Sequence, residues 1–458
     1  MIKYYKIQVS LLLIFATLIS CEKNNSVRIT DNNQGVEKLN ELVGDYQHII
    51  FYGQSLGMGW EAAEAITTQS MEGNLMLGTN PNFKYANENN LFKALTATKW
   101  QSGGEQPIVA AVNAFSYKYR TEVRKGIKFI GTTGGEGGQS IELLSKEYPA
   151  PNSLYNSTFL RPLNNAKTIV DSEKSTIACP AIIYMQGEFN YDGLNGGLGF
   201  GGNDAVITKD EYKALLLKLK NNMQDDIVRI YGQKEKPKFF IYQTSGNYIR
   251  NRELSINMAQ FEFAQEHEDV ILLNPAYFAS DYGAGHLSTN GYRWYGESIA
   301  KSLYKELLKG DDSEPVYPID YNVNGNSISI QFHVPNLPLV FDTWTNQAVQ
   351  SNGFTVYKDG NEVRITKLEI VEDKVNLTLA ESLTGKIELS YSGQSRNGNG
   401  NLRDSEYYSS YYSYYDDSKN SYKESYTPSR SRTSIEKIYG LSYPLQNWCV
   451  PFYYTVNK

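Results

Sequence analysis

The segment Phe51-Tyr-Gly-Gln-Ser-Leu-Gly57 places a serine between glycines at the end of an apolar run, His48–Tyr52. The run reads as a strand. A glycine-flanked serine after it reads as a sharp turn that exposes a hydroxyl at a sheet edge. The same letters also describe an ordinary turn, so any chemistry at Ser55 depends on partners elsewhere. A serine is a weak nucleophile at neutral pH unless a base takes its proton. Histidine is the usual base because its pKa lies close to working pH. The chain has four histidines. His48 enters the first strand, a structural position. His267 ends a Glu-rich helical stretch and reads as solvated. His333 alternates within a strand of a β-rich region. His286, in Asp281-Tyr-Gly-Ala-Gly-His-Leu-Ser288, sits in a loop just before a helix, and elimination makes it the base for Ser55.

The elements that would position this pair alternate between strand and helix. His48–Tyr52, Lys128–Gly131, Pro180–Met185, Lys238–Gln243 and Val270–Leu273 are strand-like. Pro107–Glu122, Thr208–Gln224, Arg252–His267 and Ser288–Leu308 are helix-like, with Thr208 and Glu211 in capping-box spacing. The expected fold class is α/β, a three-layer flavodoxin-like domain with a mostly parallel sheet. Right-handed crossovers would gather the loops after the strands at one edge, where open α/β sheets bind ligands. Ser55, the run Gly134–Ser140, Gln186-Gly-Glu188, Gln243–Gly246 and His286 all fall in such loops.

After about residue 311 the pattern changes to short apolar or alternating runs separated by turn signals such as Asp359-Gly360. Ser327–Val334, Phe354–Lys358, Glu362–Ile370, Lys374–Leu379 and Lys386–Tyr391 predict a C-terminal all-β, sandwich-like module. Within it, 405–436 is a Tyr/Ser-rich stretch with little Leu, Ile or Val, read as a long insertion or mobile loop. The expected domains are a signal peptide (1–20), a polar tether (21–45), the α/β domain (46–310) and the β module (311–458).

Lys3 and Lys6 precede an apolar run, Ile7–Ile19, too short for a membrane span. It ends in Leu18-Ile19-Ser20-Cys21, similar to a bacterial lipoprotein cleavage box with Cys21 as the lipidated residue. The expectation is an exported lipoprotein, held at the outer membrane through Cys21 and facing the periplasm or the exterior. The charge of −6 and the absence of a basic stripe argue against nucleic acid as a partner. Cys179 and Cys449 read as buried thiols, and no Cys/His cluster has zinc spacing. The glycine-rich run Asn195–Gly202 does not open a helix directly after a strand. It reads as a substrate-side loop rather than a dinucleotide fingerprint.

Four blocks carry a resemblance: Gly53-Gln-Ser55, Gly137-Gly-Gln-Ser-Ile141, Met185-Gln-Gly-Glu188 and Gly285-His-Leu-Ser-Thr-Asn-Gly-Tyr-Arg-Trp294. Over about 46–308 they resemble, in order, the blocks of SGNH/GDSL-type hydrolases, in particular the sialate O-acetylesterase and acetylxylan esterase branch of carbohydrate esterases. The resemblance implies Ser55 as nucleophile and His286 as general base, then acid. It implies an oxyanion hole from the backbone N–H groups of Ser55 and Gly137 or Gly138 and the side-chain amide of Gln186. Family members carry an aspartate three residues before the histidine, where this chain has Gly283. Asp281, five residues before, or a backbone carbonyl would then orient His286. Gln54 and Glu188 are substrate-side candidates, with Glu188 also suited to bracing its loop. The β module is similar to accessory domains of such esterases at Gly400–Asp404 and Tyr443–Trp448.

The function these readings imply is a serine carboxylic ester hydrolase that removes O-acetyl groups from carbohydrates through an acyl-enzyme. It would need neither metal nor organic cofactor, and its partner would be an acetylated carbohydrate. Two alternatives stand beside it: a surface glycan-binding lipoprotein without catalysis, and an esterase for other acyl chains.

Overall fold

Apolar runs buried on both faces are what a parallel sheet demands, and the central strand shows it: all eight residues of β1 (Tyr46–Gly53) are buried. The computed structural model describes residues 39–62, 64–100, 103–124, 126–149, 153–192, 208–279, 285–345, 349–416 and 440–456. The expected signal peptide, Cys21, most of the tether and the run Asn195–Gly202 lie outside the described residues. After β1 come α1 (Ser55–Met58), β2 (Asn74–Leu77), β3 (Phe92–Ala94), α2 (Pro107–Glu122) and β4 (Lys128–Gly135). Then follow α3 (Ile141–Leu144), α4 (Arg161–Ser172), β5 (Ile177–Ala178), β6 (Ala181–Met185), α5 (Glu188–Asp192) and α6 (Lys209–Tyr231). The half closes with β7 (Lys238–Ile241), α7 (Ser255–Glu266), β8 (Val270–Leu272) and α8 (Thr289–Leu303).

The strand order is β3-β2-β4-β1-β6-β7-β8, with β5 pairing β1. Only β3 runs antiparallel, against β2. The chain first builds outward from one side of β1 and then crosses to build the other. The C-terminal end of β1 is thus a topological switch point, the place where such sheets leave a crevice. All five expected strands and all four expected helices are present, with shifted ends. The strands β2 and β3 and helix α4 were not anticipated. β2 and β3 are short and carry no long periodic signal; α4 is amphipathic, with Leu163, Ala166 and Val170 buried at helical spacing, a signal the sequence did carry.

Residues after 316 form antiparallel sheets, as expected. One joins Tyr317–Asn324, Ser327–His333, Lys374–Leu379 and Ile365–Val371. A second four-stranded sheet joins Asn361–Val363, Phe354–Lys358, Ile387–Tyr391 and Phe452–Val456, and two-stranded pairs accompany them. Phe332 of the first meets Phe452 of the second with ring centroids 6.2 Å apart. Among the described residues no helix is long and apolar enough to cross a membrane.

The tyrosine-rich stretch is docked through Asp416, contrary to the mobility its composition implied; 417–439 lie outside the described residues. Ser409–Ser413 pairs with Ser442–Pro444 and lies on α8. The Glu297 carboxylate accepts the N–H groups of Tyr411 (3.1 Å) and Tyr412 (2.6 Å). The Arg293 guanidinium sits 4.6 Å over the Tyr412 ring and donates to the Ser413 carbonyl at 2.6 Å. Lys301, also on α8, binds Glu406, the Leu445 carbonyl and Asn447. Tyrosine does here what Leu does in a core. It buries area and then satisfies its hydroxyl, as Tyr443 does on Asn290 at 2.7 Å.

Burial pushes the Glu297 carboxyl up from 4.5 to about 7, against two amide donors and Arg293. The folded state therefore holds this proton more tightly than the unfolded chain. The contribution is complete below 4.5 and is lost as pH rises to about 7. Thermal unfolding followed between about pH 5 and pH 8 is expected to show a midpoint that falls with pH. Glu297→Gln, which keeps an acceptor but cannot titrate, is expected to flatten that slope.

Candidate active site

Ser55 reaches the cleft because β1 ends abruptly. Gly53 has φ +154°, and a Cβ there would stand 2.0 Å from the Met185 carbonyl oxygen. Only glycine lets the end of β1 pass this close to β6. Gln54 stays extended, and Ser55 opens the short helix α1, which stops at Gly59 in the left-handed region. The Ser55 hydroxyl then faces His286 across 231 residues of chain, with Oγ 2.8 Å from Nε2.

His286 is set by the start of α8. Ser288 caps that helix, its hydroxyl accepting the Gly291 N–H at 3.0 Å. The other ring nitrogen, Nδ1, lies 2.8 Å from the Glu61 carboxylate. With Nδ1–H donating to Glu61, Nε2 is left as the acceptor for the Ser55 proton. The hydrogen bond from His286 holds the Glu61 carboxyl below its ordinary value, with burial opposing. Tyr248 packs edge-on to the His286 ring, centroids 6.0 Å apart.

Asp281, expected to orient the histidine, lies outside the described residues, as does Gly283. Among the described residues, Glu61 is the carboxylate at Nδ1. Sequence reasoning missed it because the resemblance directs attention to residues just before the histidine, and Glu61 follows the serine by six. The available signal was a carboxylate two residues after Gly59, the glycine that ends the serine turn. Glu61 also has φ +61°, a conformation that costs a non-glycine residue energy and is kept only where surroundings enforce it.

Those surroundings are specific. The fully buried Glu105 carboxylate accepts from the N–H groups of Ile66 (2.8 Å) and Thr67 (2.9 Å) and from the Thr67 hydroxyl. Burial pushes that carboxyl up, and the three donors oppose it. Gly59 packs so closely on Glu105 that a Cβ would stand 2.0 Å from its carbonyl oxygen. From the other side, Tyr292 of α8 donates to the Trp60 carbonyl at 2.7 Å and Thr289 accepts the Glu64 N–H at 3.3 Å. One helix thus fixes both His286 and the segment carrying Glu61.

Around Ser55 the chain leaves amides unengaged. The N–H groups of Ser55, Gly137 and Gly138 donate to no protein acceptor among the described residues. A Cβ on Gly137 would lie 3.7 Å from the Ser55 Cβ, so this loop borders the hydroxyl. Gln186 does not join them. It is fully buried, and its amide nitrogen donates to the Gln139 carbonyl (3.1 Å) and to Asn190 (2.7 Å). Its oxygen accepts from Tyr184 and Tyr212. Both amide hydrogens are spent, which corrects the expectation of an oxyanion donor: Gln186 braces the Gly137–Ser140 loop. Gln54 lines the cleft, and its oxygen accepts from the Phe189 N–H at 3.4 Å.

The cleft holds 650 Å³ and is lined by both Ser55 and His286. Glu188, a substrate-side candidate, opens α5 on its wall. One of its oxygens accepts from the Tyr242 hydroxyl; the other has no hydrogen-bond partner among the described residues. Burial pushes the Glu188 carboxyl up. The other histidines are engaged elsewhere. His48 is buried between Tyr231 (2.5 Å) and Thr132 (2.7 Å), and burial pushes it down to about 3. His267 is half-buried against Phe263 rather than solvated, and His333 stacks on Tyr317. Cys179 and Cys449 are free, buried thiols. Among the described residues no group of three or more His, Cys, Asp or Glu is arranged to hold a metal ion.

No family model matches the chain, and no curated protein matches it by sequence. Among solved structures it is similar to a carbohydrate acetylesterase from Xanthomonas citri, with TM-score 0.50 and 16% identity over 78% of this chain and 77% of that one. It also matches a protein from Arabidopsis thaliana (TM-score 0.40, 16% identity, 57% of this chain and 98% of that one). A carbohydrate acetylesterase from Sinorhizobium meliloti matches as well, with TM-score 0.32 and 13% identity over 56% of this chain and 98% of that one. The first of these likenesses supports the fold: a mostly parallel α/β sheet followed by antiparallel sheets.

The reactivity of Ser55 offers a direct test of its neighbours. Labelling of Ser55 by a fluorophosphonate, followed by mass spectrometry, is expected to slow on the order of 100-fold in Glu61→Gln. Asp281→Asn is expected to slow it by less than about tenfold.

Proposed function

We propose that this chain is a serine esterase that removes O-acetyl groups from carbohydrates, with Ser55, His286 and Glu61 as its catalytic line. The observation that carries the reading is the continuous hydrogen-bonded path from Ser55 Oγ through His286 to Glu61, opening into a cleft beside unengaged amides. His286 Nε2 takes the Ser55 proton as Oγ attacks the acetyl carbonyl. Glu61 stabilises the imidazolium that results and keeps its tautomer. The oxygen of the tetrahedral intermediate is received by the N–H groups of Ser55, Gly137 and Gly138. Each such donor is worth on the order of 100-fold in turnover. His286 then returns the proton to the departing sugar alcohol. Water, deprotonated by the same nitrogen, attacks the acetyl-serine and releases acetate.

The alternative of a glycan-binding protein without catalysis rested on the missing aspartate at position 283. The Glu61 carboxylate at Nδ1 supports catalysis in its place. Acetyl is the acyl group that the resemblance implies; the lining combines Gln139 and Tyr148 with the apolar Leu143, Leu154 and Phe189. Export as a lipoprotein anchored at Cys21, with the β module carried alongside the α/β domain, completes the proposal.

Purified protein is expected to release acetate from acetylated glycans. Ser55→Ala is expected to lose at least about 1,000-fold in kcat. Equal rates in the two proteins would remove Ser55 as nucleophile, and faster turnover of butyrate or longer esters would favour the other acyl class. In cells, the wild type is expected to take up labelled fatty acid and Cys21→Ala to remain unlabelled.

A further inference from the structure

The class of sugar is open in the reading above, and the charges of the cleft bear on it. Among the described residues, three charge-bearing side chains besides His286 line it: Lys84, Glu136 and Glu188. Lys84 is the cation among them, and it is ion-paired with Glu136. The Tyr85 hydroxyl donates to the other Glu136 oxygen at 3.3 Å, and the Lys84 ammonium lies 5.7 Å over the Tyr85 ring. The lysine side chain is 42% exposed and the glutamate 16%, so the pair is a partly buried unit with no net charge. Glu188, 1% exposed, is buried in the wall, and burial pushes its carboxyl up, so it presents no open charge to the cleft. Four half-buried aromatic residues, Trp60, Tyr148, Phe189 and Tyr248, complete the wall.

We propose that the Lys84–Glu136 pair sets the charge selectivity of the cleft. It admits uncharged acetylated glycans and discriminates against acetylated sugars that carry a carboxylate. The inference rests on the esterase reading and narrows its substrate class.

A sugar carboxylate entering the cleft gives up hydration and needs a cation in exchange. Lys84 is already neutralised. Recruiting it would leave the less exposed Glu136 without its partner, and the incoming anion would then face that carboxylate. Like-charge contacts of this kind suppress wrong partners strongly. An uncharged pyranose asks for less. Its C–H faces lie on aromatic rings and its hydroxyls exchange one set of hydrogen bonds for another.

The test compares three substrates: p-nitrophenyl acetate, acetylated xylo-oligosaccharide, which is uncharged, and acetylated oligogalacturonide, with a carboxylate on each ring. The quantity read is the ratio of kcat/KM for the uncharged over the carboxylate-bearing glycan within each protein, so that a general loss of activity cancels. The wild type is expected to show a ratio of at least about 10. Glu136→Gln frees the lysine and is expected to lower the ratio about tenfold, with the carboxylate substrate becoming sensitive to salt. Lys84→Gln, which leaves the glutamate alone, is expected to raise the ratio above that of the wild type. Should Glu136→Gln not fold, Lys84→Gln decides by itself. A wild-type ratio near or below one, or a ratio unchanged in the variants, overturns the proposal while the esterase reading stands. Failure of the wild type to hydrolyse any of the three overturns both.

Discussion

A 2.8 Å hydrogen bond between Ser55 and His286 closes a loop of 231 residues, and much of the α/β half serves to hold its two ends in register. A contact so distant in sequence is stable only if both ends sit on rigid elements. One end is the exit of the central strand, where Gly53 presses on the Met185 carbonyl. The other is the first turn of α8, which is buried along its full length. α8 packs against α2, where Gly296 comes so close to Pro107 that a Cβ would stand 2.4 Å from its carbonyl oxygen. Helix α8 is therefore a common reference for the histidine, for the segment bearing Glu61, and for the docked tyrosine strand.

That last role gives the C-terminal region a mechanical meaning. Arg293, Glu297 and Lys301 line one side of α8 and spend their charges on residues between 404 and 447 rather than on solvent. Asp404 in turn accepts from the backbone and side chain of Asn447. On the strand side, the backbone N–H of Trp448 donates to the Asn274 side chain, just past β8, and its ring stacks on Phe278. Charged groups buried this way are costly unless fully paired. Here the partners are backbone amides and carbonyls and the side chains of Glu406 and Asn447, so removing the C-terminal strands would strand charges on the helix that positions His286.

The sequence made the sheet, its order of loops and the Ser55–His286 pair legible, because strong apolar strands and glycine-marked turns are local signals. Gln186 shows where local signals stop. Its motif placed it correctly at the end of β6, but which way its amide points depends on Tyr184, Tyr212, Asn190 and Gln139, four groups from three other segments and its own strand. The docking of Ser409–Ser413 was likewise unreadable. A run of Tyr and Ser has no period of its own, and its partners, Glu297 and Arg293, are charged residues that would ordinarily face water.

Glu61 is the sharpest case, and it changes how the site is built. When the orienting acid lies in the histidine's own loop, one segment sets both groups. Here the acid shares a seven-residue segment with the nucleophile, Ser55–Glu61, and the histidine enters between them from α8. The strained φ of Glu61 is the cost of returning a carboxylate toward the hydroxyl so soon after a helix turn. The three donors on Glu105 and the two contacts from α8 hold the chain in that shape. The geometry at Nδ1 is thus set, on the acid's side, by the nucleophile turn and its clamp.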